Sequence, residues 1–245
     1  MTHLYIIRHG QAQAAVDGIV AGIKGDTGLS ALGIEQATRL RNRLLVTQEI
    51  KADVLIASTI PRARQTAEII APALELPIIL DDEVQELRPG EADGLSGHEY
   101  RQKYAHRRDD MSAFVSASPG GESWPEFVLR ASRALERIVT EHAGKTIVLV
   151  CHGGIVQSSF LYFFGAPTLV RPSVVTFEMG NAAITHWARG NFYRKDPSHL
   201  QWKLITHNDD FHLRDPRFWT DDQDAELYGN IESDDTQQTA IVEKE

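Results

Sequence analysis

Apolar residues fall along the chain in short unbroken runs, separated by stretches in which they recur at helical spacing. Leu4-Tyr5-Ile6-Ile7, Val54-Leu55-Ile56-Ala57, Ile78-Ile79-Leu80 and Thr146-Ile147-Val148-Leu149-Val150 are such runs. Their shortness and lack of alternation predict strands covered on both faces, as in a parallel sheet. Ser30 suits a helix cap, and Leu32, Ala37, Leu40, Leu44 and Leu45 give a helical stripe to about residue 49. Pro61 opens the next helix, where its missing N–H costs nothing, and Pro72 bounds it at about Ala71. Pro125 opens a long helix to about His142, and another is expected from about 154 to 164. Residues 174–178 and 183–187 read as strands paired about Gly180-Asn181, and 201–205 as a last strand. Residues 11–29 hold Gly18, Gly22, Gly25 and Gly28 without periodicity and read as a long loop; 81–123 read as irregular or partly helical. Strands alternating with helices predict a three-layer α/β/α domain with a central, mostly parallel sheet.

Charge changes the picture only at the end of the chain. The 245 residues carry a net charge of −9. Residues 221–245 hold nine acids against Lys244, so they contribute −8 and leave −1 for everything before them. Apolar content falls from about residue 215, which predicts a domain over 1–214 and an acidic tail over 215–245. A nearly neutral body argues against nucleic-acid binding, which needs a basic face. No apolar stretch reaches the length of a membrane span, and the N-terminus enters a strand without a basic, then apolar, leader. The single Cys151 excludes an internal disulfide. These features fit a cytoplasmic protein.

Two of the apolar runs end alike. Arg8-His9-Gly10-Gln11 closes the first, and Cys151-His152-Gly153-Gly154 closes the run before it. In open α/β sheets, ligands bind in the crevice outside the carboxyl ends of the strands. Glycine there lets the backbone turn sharply and approach a ligand. A neutral imidazole can act as a nucleophile, and a guanidinium beside it favours the neutral ring. Arg62 follows a buried run and lies in the first turn of a helix, so its charge and the helix dipole face the same crevice. Two arginines and two histidines suit a phosphoryl group, whose transfer rests on positioning and charge neutralisation.

With these residues the chain resembles the histidine phosphatase superfamily, the phosphoglycerate-mutase-like proteins. The resemblance spans about residues 3–214. It rests on Arg8-His9-Gly10-Gln11, on Ser58, Arg62-Ala63 and Thr66-Ala67, on the stretch from Glu86-Leu87-Arg88-Pro89-Gly90 to Asp93-Gly94, on Gly120-Gly121-Glu122-Ser123, on His152-Gly153-Gly154, and on Asn208-Asp209 with His212-Leu213. It implies the phosphoglycerate-mutase-like fold and a histidine acid-type phosphatase. In it, His9 takes the phosphoryl group, and Arg8, Arg62 and His152 surround it. Glu86 protonates the leaving oxygen and later activates water. Gln11, Ser123 and Gly153 are the further phosphate contacts it suggests. The substrate is a small phosphorylated molecule, and no metal or cofactor is called for. The family often has Asn where Ala15 stands and Gln where Ala21 stands, and Gln11 replaces its usual Glu. Cofactor-dependent phosphoglycerate mutase is one alternative. Those enzymes have a longer segment after the acid, with a Tyr-Gly motif that Gly94-Leu95-Ser96-Gly97-His98 lacks. A non-catalytic phosphate-binding module on the same fold is the other; it would lack one of the core residues, and all are present.

Several residues also have plainer readings. Residues 81–93 hold Asp81, Asp82, Glu83, Glu86, Glu91 and Asp93, and motif register selects Glu86. Asp93 reads as structural. Strand neighbours point to opposite faces, so Cys151 reads as a core residue and not as a thiol partner of His152. Ser123 could equally cap the helix after it. The spacing of His207, Asp209, Asp210 and His212 matches no metal pattern. Residues 22–28 lack the Gly-Lys-Ser/Thr of a P-loop. Arg101, Lys103, His106, Arg107 and Arg108 read as a solvated basic face that could also draw in an anionic substrate.

Overall fold

The computed structural model describes residues 1–109, 113–165, 176–192 and 200–219, and for 105–109 the backbone alone. One six-stranded sheet organises them. Its strands are β1 (Thr2–Arg8), β2 (Val54–Ser58), β3 (Ile78–Asp81), β4 (Thr146–Cys151), β5 (Ile184–Gly190) and β6 (Gln201–Asp209), in the order β3-β2-β4-β1-β5-β6. Strands β3, β2, β4 and β1 are parallel; β5 runs antiparallel to both β1 and β6. The helices are α1 (Gln13–Val16), α2 (Ala31–Thr47), α3 (Pro61–Leu74), α4 (Gly97–Asp109), α5 (Trp124–Glu141), α6 (Gly153–Phe164) and α7 (Phe211–Arg214).

Alternation along the parallel strands decides which helix lies where. Leu4 and Ile6, Val54 and Ile56, and Ile147 and Leu149 point to one face, where α5 and α6 cover them with Phe127, Leu135, Ile138 and Ile155. Ile7, Leu55, Ala57, Val148 and Val150 point to the other, against Leu40 and Leu44 of α2 and Ala63, Ala67 and Ile70 of α3. Both faces are covered at these positions, so the middle of each central strand is an unbroken apolar run. Ser30 caps α2 by accepting the Gly33 N–H at 3.1 Å. Ser123 and Glu126 form a reciprocal capping box at the start of α5.

Four expectations change. Helix α3 runs through Pro72 to Leu74, because a proline in the last turn removes only one internal bond. Residues 176–178 are not a strand; the pairing expected of them is supplied to β5 by β1 and β6, while 174 and 175 lie outside the described residues. Strand β6 continues four residues past Ile205, to Asp209. Residues 215–219 pack on the body: Phe218 is buried, and its carbonyl accepts from Asn42 of α2 at 3.0 Å. Residues 220–245 of the expected tail lie outside the described residues.

Candidate active site

Parallel pairing sets Arg8 across from Cys151, so His9 and His152 leave neighbouring strand ends side by side. Their ring centroids are 5.2 Å apart. Ser58 ends β2, and α3 begins three residues later, which puts Arg62 in its first turn. Glu86 lies on the segment that follows β3. The carboxyl edge of the sheet therefore collects His9, His152, Arg8, Arg62 and Glu86.

The His9 ring is fixed at both nitrogens. Nδ1 lies 2.6 Å from the Gly10 carbonyl, which can only accept, so Nδ1 carries the proton. Nε2 accepts the Arg62 Nε–H at 3.0 Å, so its lone pair faces the crevice. Burial pushes the His9 pKa well below the usual histidine value, and the charges of Arg62 and Arg8 push the same way. The ring is neutral at physiological pH. From behind, the His9 carbonyl accepts from the Asn181 side chain at 3.0 Å and from the Ala182 N–H.

His152 is fully buried. Its Nε2 is 2.8 Å from Ser58 Oγ, which already accepts the Ile60 N–H at 3.3 Å. In the tautomer where the Ser58 hydroxyl donates to Nε2, Nδ1 holds the ring proton. That Nδ1 has no partner among the described residues. Burial and the nearby Arg62 and His9 hold the His152 pKa well down. Arg8 anchors one terminal nitrogen on the Met179 carbonyl, while its buried Nε has no partner among the described residues. Burial lowers the Arg8 pKa, the Glu86 charge opposes this, and Arg62 adds to it. Two buried donors without a partner among the described residues, beside the His9 Nε2 that Arg62 holds, are what an oxyanion needs.

Glu86 is held at each oxygen. Oε1 accepts the Leu87 N–H at 2.9 Å, and Oε2 accepts the Gly154 N–H at 3.0 Å. Gly154 lies in the first turn of α6, so the carboxylate sits at a helix N-terminus. Gly153 at that terminus faces the Arg8 guanidinium; a Cβ there would lie 3.8 Å from Arg8 Nε. A cavity of about 430 Å³ opens beside Glu86, with Ile23, Ile60, Gln85 and Arg88 in its wall.

Gln11 and Ser123 are engaged elsewhere. The Gln11 side-chain oxygen accepts from the Ser30 hydroxyl at 2.7 Å, at the cap of α2. The Ser123 hydroxyl donates to Glu126 at 2.6 Å, so the capping reading describes it. Arg101 and Lys103 are exposed on α4; the side chains of His106, Arg107 and Arg108 lie outside the described residues. The histidines and acids near the C-terminus do not converge. His207 pairs with Thr185, Asp209 with Arg43, and Asp210 with Arg214, while His212 is fully buried. Burial pushes the Cys151 thiol far above its usual pKa, as a core residue requires.

Two acids organise the site from the glycine-rich loop region. Asp26 is buried, forms an ion pair with Arg62, and accepts the N–H groups of Arg62 and Gly28. Its signal was available: a buried arginine needs an acid, and the loop offers few. Asp93 accepts three N–H groups, from Gly22, Lys24 and Gly25, and so shapes the loop above the cavity. A Cβ on Gly22 would lie 2.7 Å from that carboxylate. Where the family often has Gln, the Ala21 carbonyl accepts from Arg62 at 3.3 Å.

A profile of the histidine phosphatase superfamily (branch 1) matches residues 4–202. A metal-independent phosphoserine phosphatase of Arabidopsis thaliana is 29% identical over 168 residues, covering 66% of this chain and 68% of the relative. The adenosylcobalamin/alpha-ribazole phosphatase of Escherichia coli K12 is 29% identical over 67% of this chain and 80% of its own length. Among solved structures, YhfR of Bacillus stearothermophilus superposes with a TM-score of 0.71 at 25% identity, over 85% of this chain and 98% of that one.

Proposed function

The chain belongs to the histidine phosphatase superfamily, and from that premise we propose that it hydrolyses small phosphomonoesters without metal, through a phosphohistidine on His9. One observation carries the reading. Nδ1–H is tied to the Gly10 carbonyl, which leaves the Nε2 lone pair in the crevice on a ring that burial keeps neutral. Relatives named as phosphoserine and ribazole phosphatases support a small phosphorylated substrate.

The chemistry follows from the residues. His9 Nε2 attacks phosphorus as the ester P–O bond breaks. As the N–P bond forms, Arg62 Nε keeps its proton and switches its hydrogen bond from Nε2 to a phosphoryl oxygen. Arg8 Nε–H and His152 Nδ1–H are the other unpaired donors, and they neutralise the equatorial oxygens. Glu86, protonated from solvent in the substrate complex, gives that proton to the leaving alkoxide. In the second half, Glu86 takes a proton from water, the water oxygen bonds to phosphorus, and the N–P bond returns its electrons to Nε2. General acid–base catalysis of this kind is worth about 10²–10⁴-fold. The arginines supply the positive charge that a metal supplies in other phosphatases.

The test is a rapid quench with labelled p-nitrophenyl phosphate in excess EDTA. Base-stable, acid-labile label mapping to His9, and absent from His9→Ala, is the expected result. Label that survives acid, label that stays on the variant, or no label until a divalent ion is added counts against the reading.

A further inference from the structure

Arg130 touches none of the catalytic side chains, yet its whole donor set is directed at the segment that carries Glu86. It projects from α5 and is 8% exposed. One terminal nitrogen donates to the Glu83 carbonyl at 2.7 Å and the Gln85 carbonyl at 3.0 Å. The other donates to the Glu86 carbonyl at 3.2 Å and to Glu122 Oε2 at 2.7 Å. Nε donates to Glu122 Oε1 at 2.6 Å. A guanidinium has five N–H donors in a rigid fork, and these contacts use them all.

Glu122 completes the clamp. While one edge of its carboxylate receives Arg130, Oε2 also accepts the Arg88 N–H at 2.9 Å, and the Glu122 N–H donates to the Arg88 carbonyl at 2.9 Å. Although burial opposes it, Arg130 and the Arg88 N–H hold the Glu122 carboxyl below its usual pKa, so the pair stays ionic. The carbonyls of 83, 85 and 86 are thus fixed from one side and residue 88 from the other. Glu86 lies between, its side chain resting on Leu87 and Gly154. A ring contact agrees: the Arg130 guanidinium lies over the Phe127 ring at 5.2 Å, and Phe127 lines the close approach of Gly154 to Glu86.

We infer that Arg130, braced by Glu122, is the positioning residue for the proton donor, setting where the Glu86 carboxyl meets the leaving oxygen. The inference rests on the proposed role of Glu86. A core arginine needed only for folding would support several elements evenly. This one spends three of its donors on carbonyls within four consecutive residues and the other two on the acid that holds the same stretch.

The readout is the leaving-group dependence of His9 phosphorylation. An alkoxide needs a proton to depart, whereas p-nitrophenolate does not. The ratio of phosphorylation rates for p-nitrophenyl phosphate and β-glycerol phosphate therefore reports the placement of the acid. Measured on one preparation, it is independent of the fraction folded. Arg130→Lys replaces the fork with a single ammonium that cannot hold three carbonyls and a carboxylate. Glu122→Gln keeps the shape and removes the ionic brace. Each variant should raise the ratio by about 10²-fold, the cost of misplacing a reacting group by about 1 Å. An unchanged ratio, whether both rates fall together or neither falls, overturns the inference. If Arg130→Lys yields no folded protein, Glu122→Gln decides alone. Wild type and Glu86→Gln separate the levels. No phosphohistidine in wild type ends the functional reading and this one with it. A ratio raised by Glu86→Gln but not by the clamp variants ends this one only.

Discussion

Arg62 donates to His9, the proposed mechanism then asks it to meet a phosphoryl oxygen, and Asp26 holds it for both. The carboxylate takes one guanidinium nitrogen and the Arg62 backbone N–H together, so the side chain is held at root and tip. The Ala21 carbonyl is the remaining anchor of that nitrogen. Both side chains of the pair are buried. Removing one charge from such a pair leaves the other uncompensated, at a cost of about 3–5 kcal/mol. Asparagine at 26 cannot accept both the guanidinium and the two backbone N–H groups, because half of its amide is a donor. Asp26→Asn should therefore lower unfolding stability by about 3 kcal/mol. Among the molecules that remain folded, the rate of His9 phosphorylation should fall about 10²-fold. Urea denaturation and rapid quench check the two parts separately. A variant with unaltered phosphorylation would show that Arg62 needs no carboxylate to hold its place.

The start of α6 brings two groups to one point: the Gly154 N–H in its first turn donates to the Glu86 carboxylate, and His152 is the residue before it. Gly154 is required there for space and not for conformation. A Cβ at 154 would overlap Glu86 Oε1 and lie 2.7 Å from the Phe127 ring. In an exposed helix, Gly→Ala stabilises by about 1 kcal/mol. Gly154→Ala should instead destabilise and should raise the p-nitrophenyl to β-glycerol phosphate ratio, since it pushes the acid off its perch. A gain in thermal stability with the ratio unchanged would contradict this. The same element shows what a sequence can and cannot disclose. Strands β1, β2 and β4 are legible because burial on both faces leaves an unbroken apolar run in the middle of each. His9 and His152 are legible because they close those runs. The pairing of β5 is not, because an antiparallel strand can take partners far away in the chain, and it takes β1 and β6. Asp26 is partly legible, as the acid that a buried arginine needs, whereas Arg130 acts through backbone carbonyls of a distant segment, which leave no pattern in residue type. Ser123 reads both ways from sequence, since a cap and a phosphate ligand need the same hydroxyl.

Across the whole molecule, the fall in apolar content at about residue 215 does not mark the end of packing. The net charge of −8 lies in residues 221–245, and residues 215–219 pack on the body. Residues 209–219 grip α2 through several contacts. Arg43 holds Asp209 through two nitrogens at 2.9 and 2.7 Å, and Arg39 donates to the Leu213 carbonyl at 3.1 Å. Asn42 holds the Phe218 carbonyl, and the Arg39 guanidinium lies 4.7 Å from the centroid of the Trp219 ring. Helix α2 in turn carries Gln36 and is capped by Ser30, and both bond Gln11, two residues after His9. Two truncations separate these roles. Ending the chain after Trp219 removes the acidic stretch and none of these contacts, so stability and His9 phosphorylation should stay within a few-fold of the full chain. Ending it after Arg214 also removes Phe218, which is 1% exposed. The loss of a buried phenylalanine costs about 3–5 kcal/mol, and urea denaturation should register at least that much. If the shorter cut is silent, the turn at 216–218 contributes nothing to the body. If the longer chain, ending at Trp219, already loses tenfold or more in phosphorylation rate, then the acidic stretch reaches the crevice and belongs to the site.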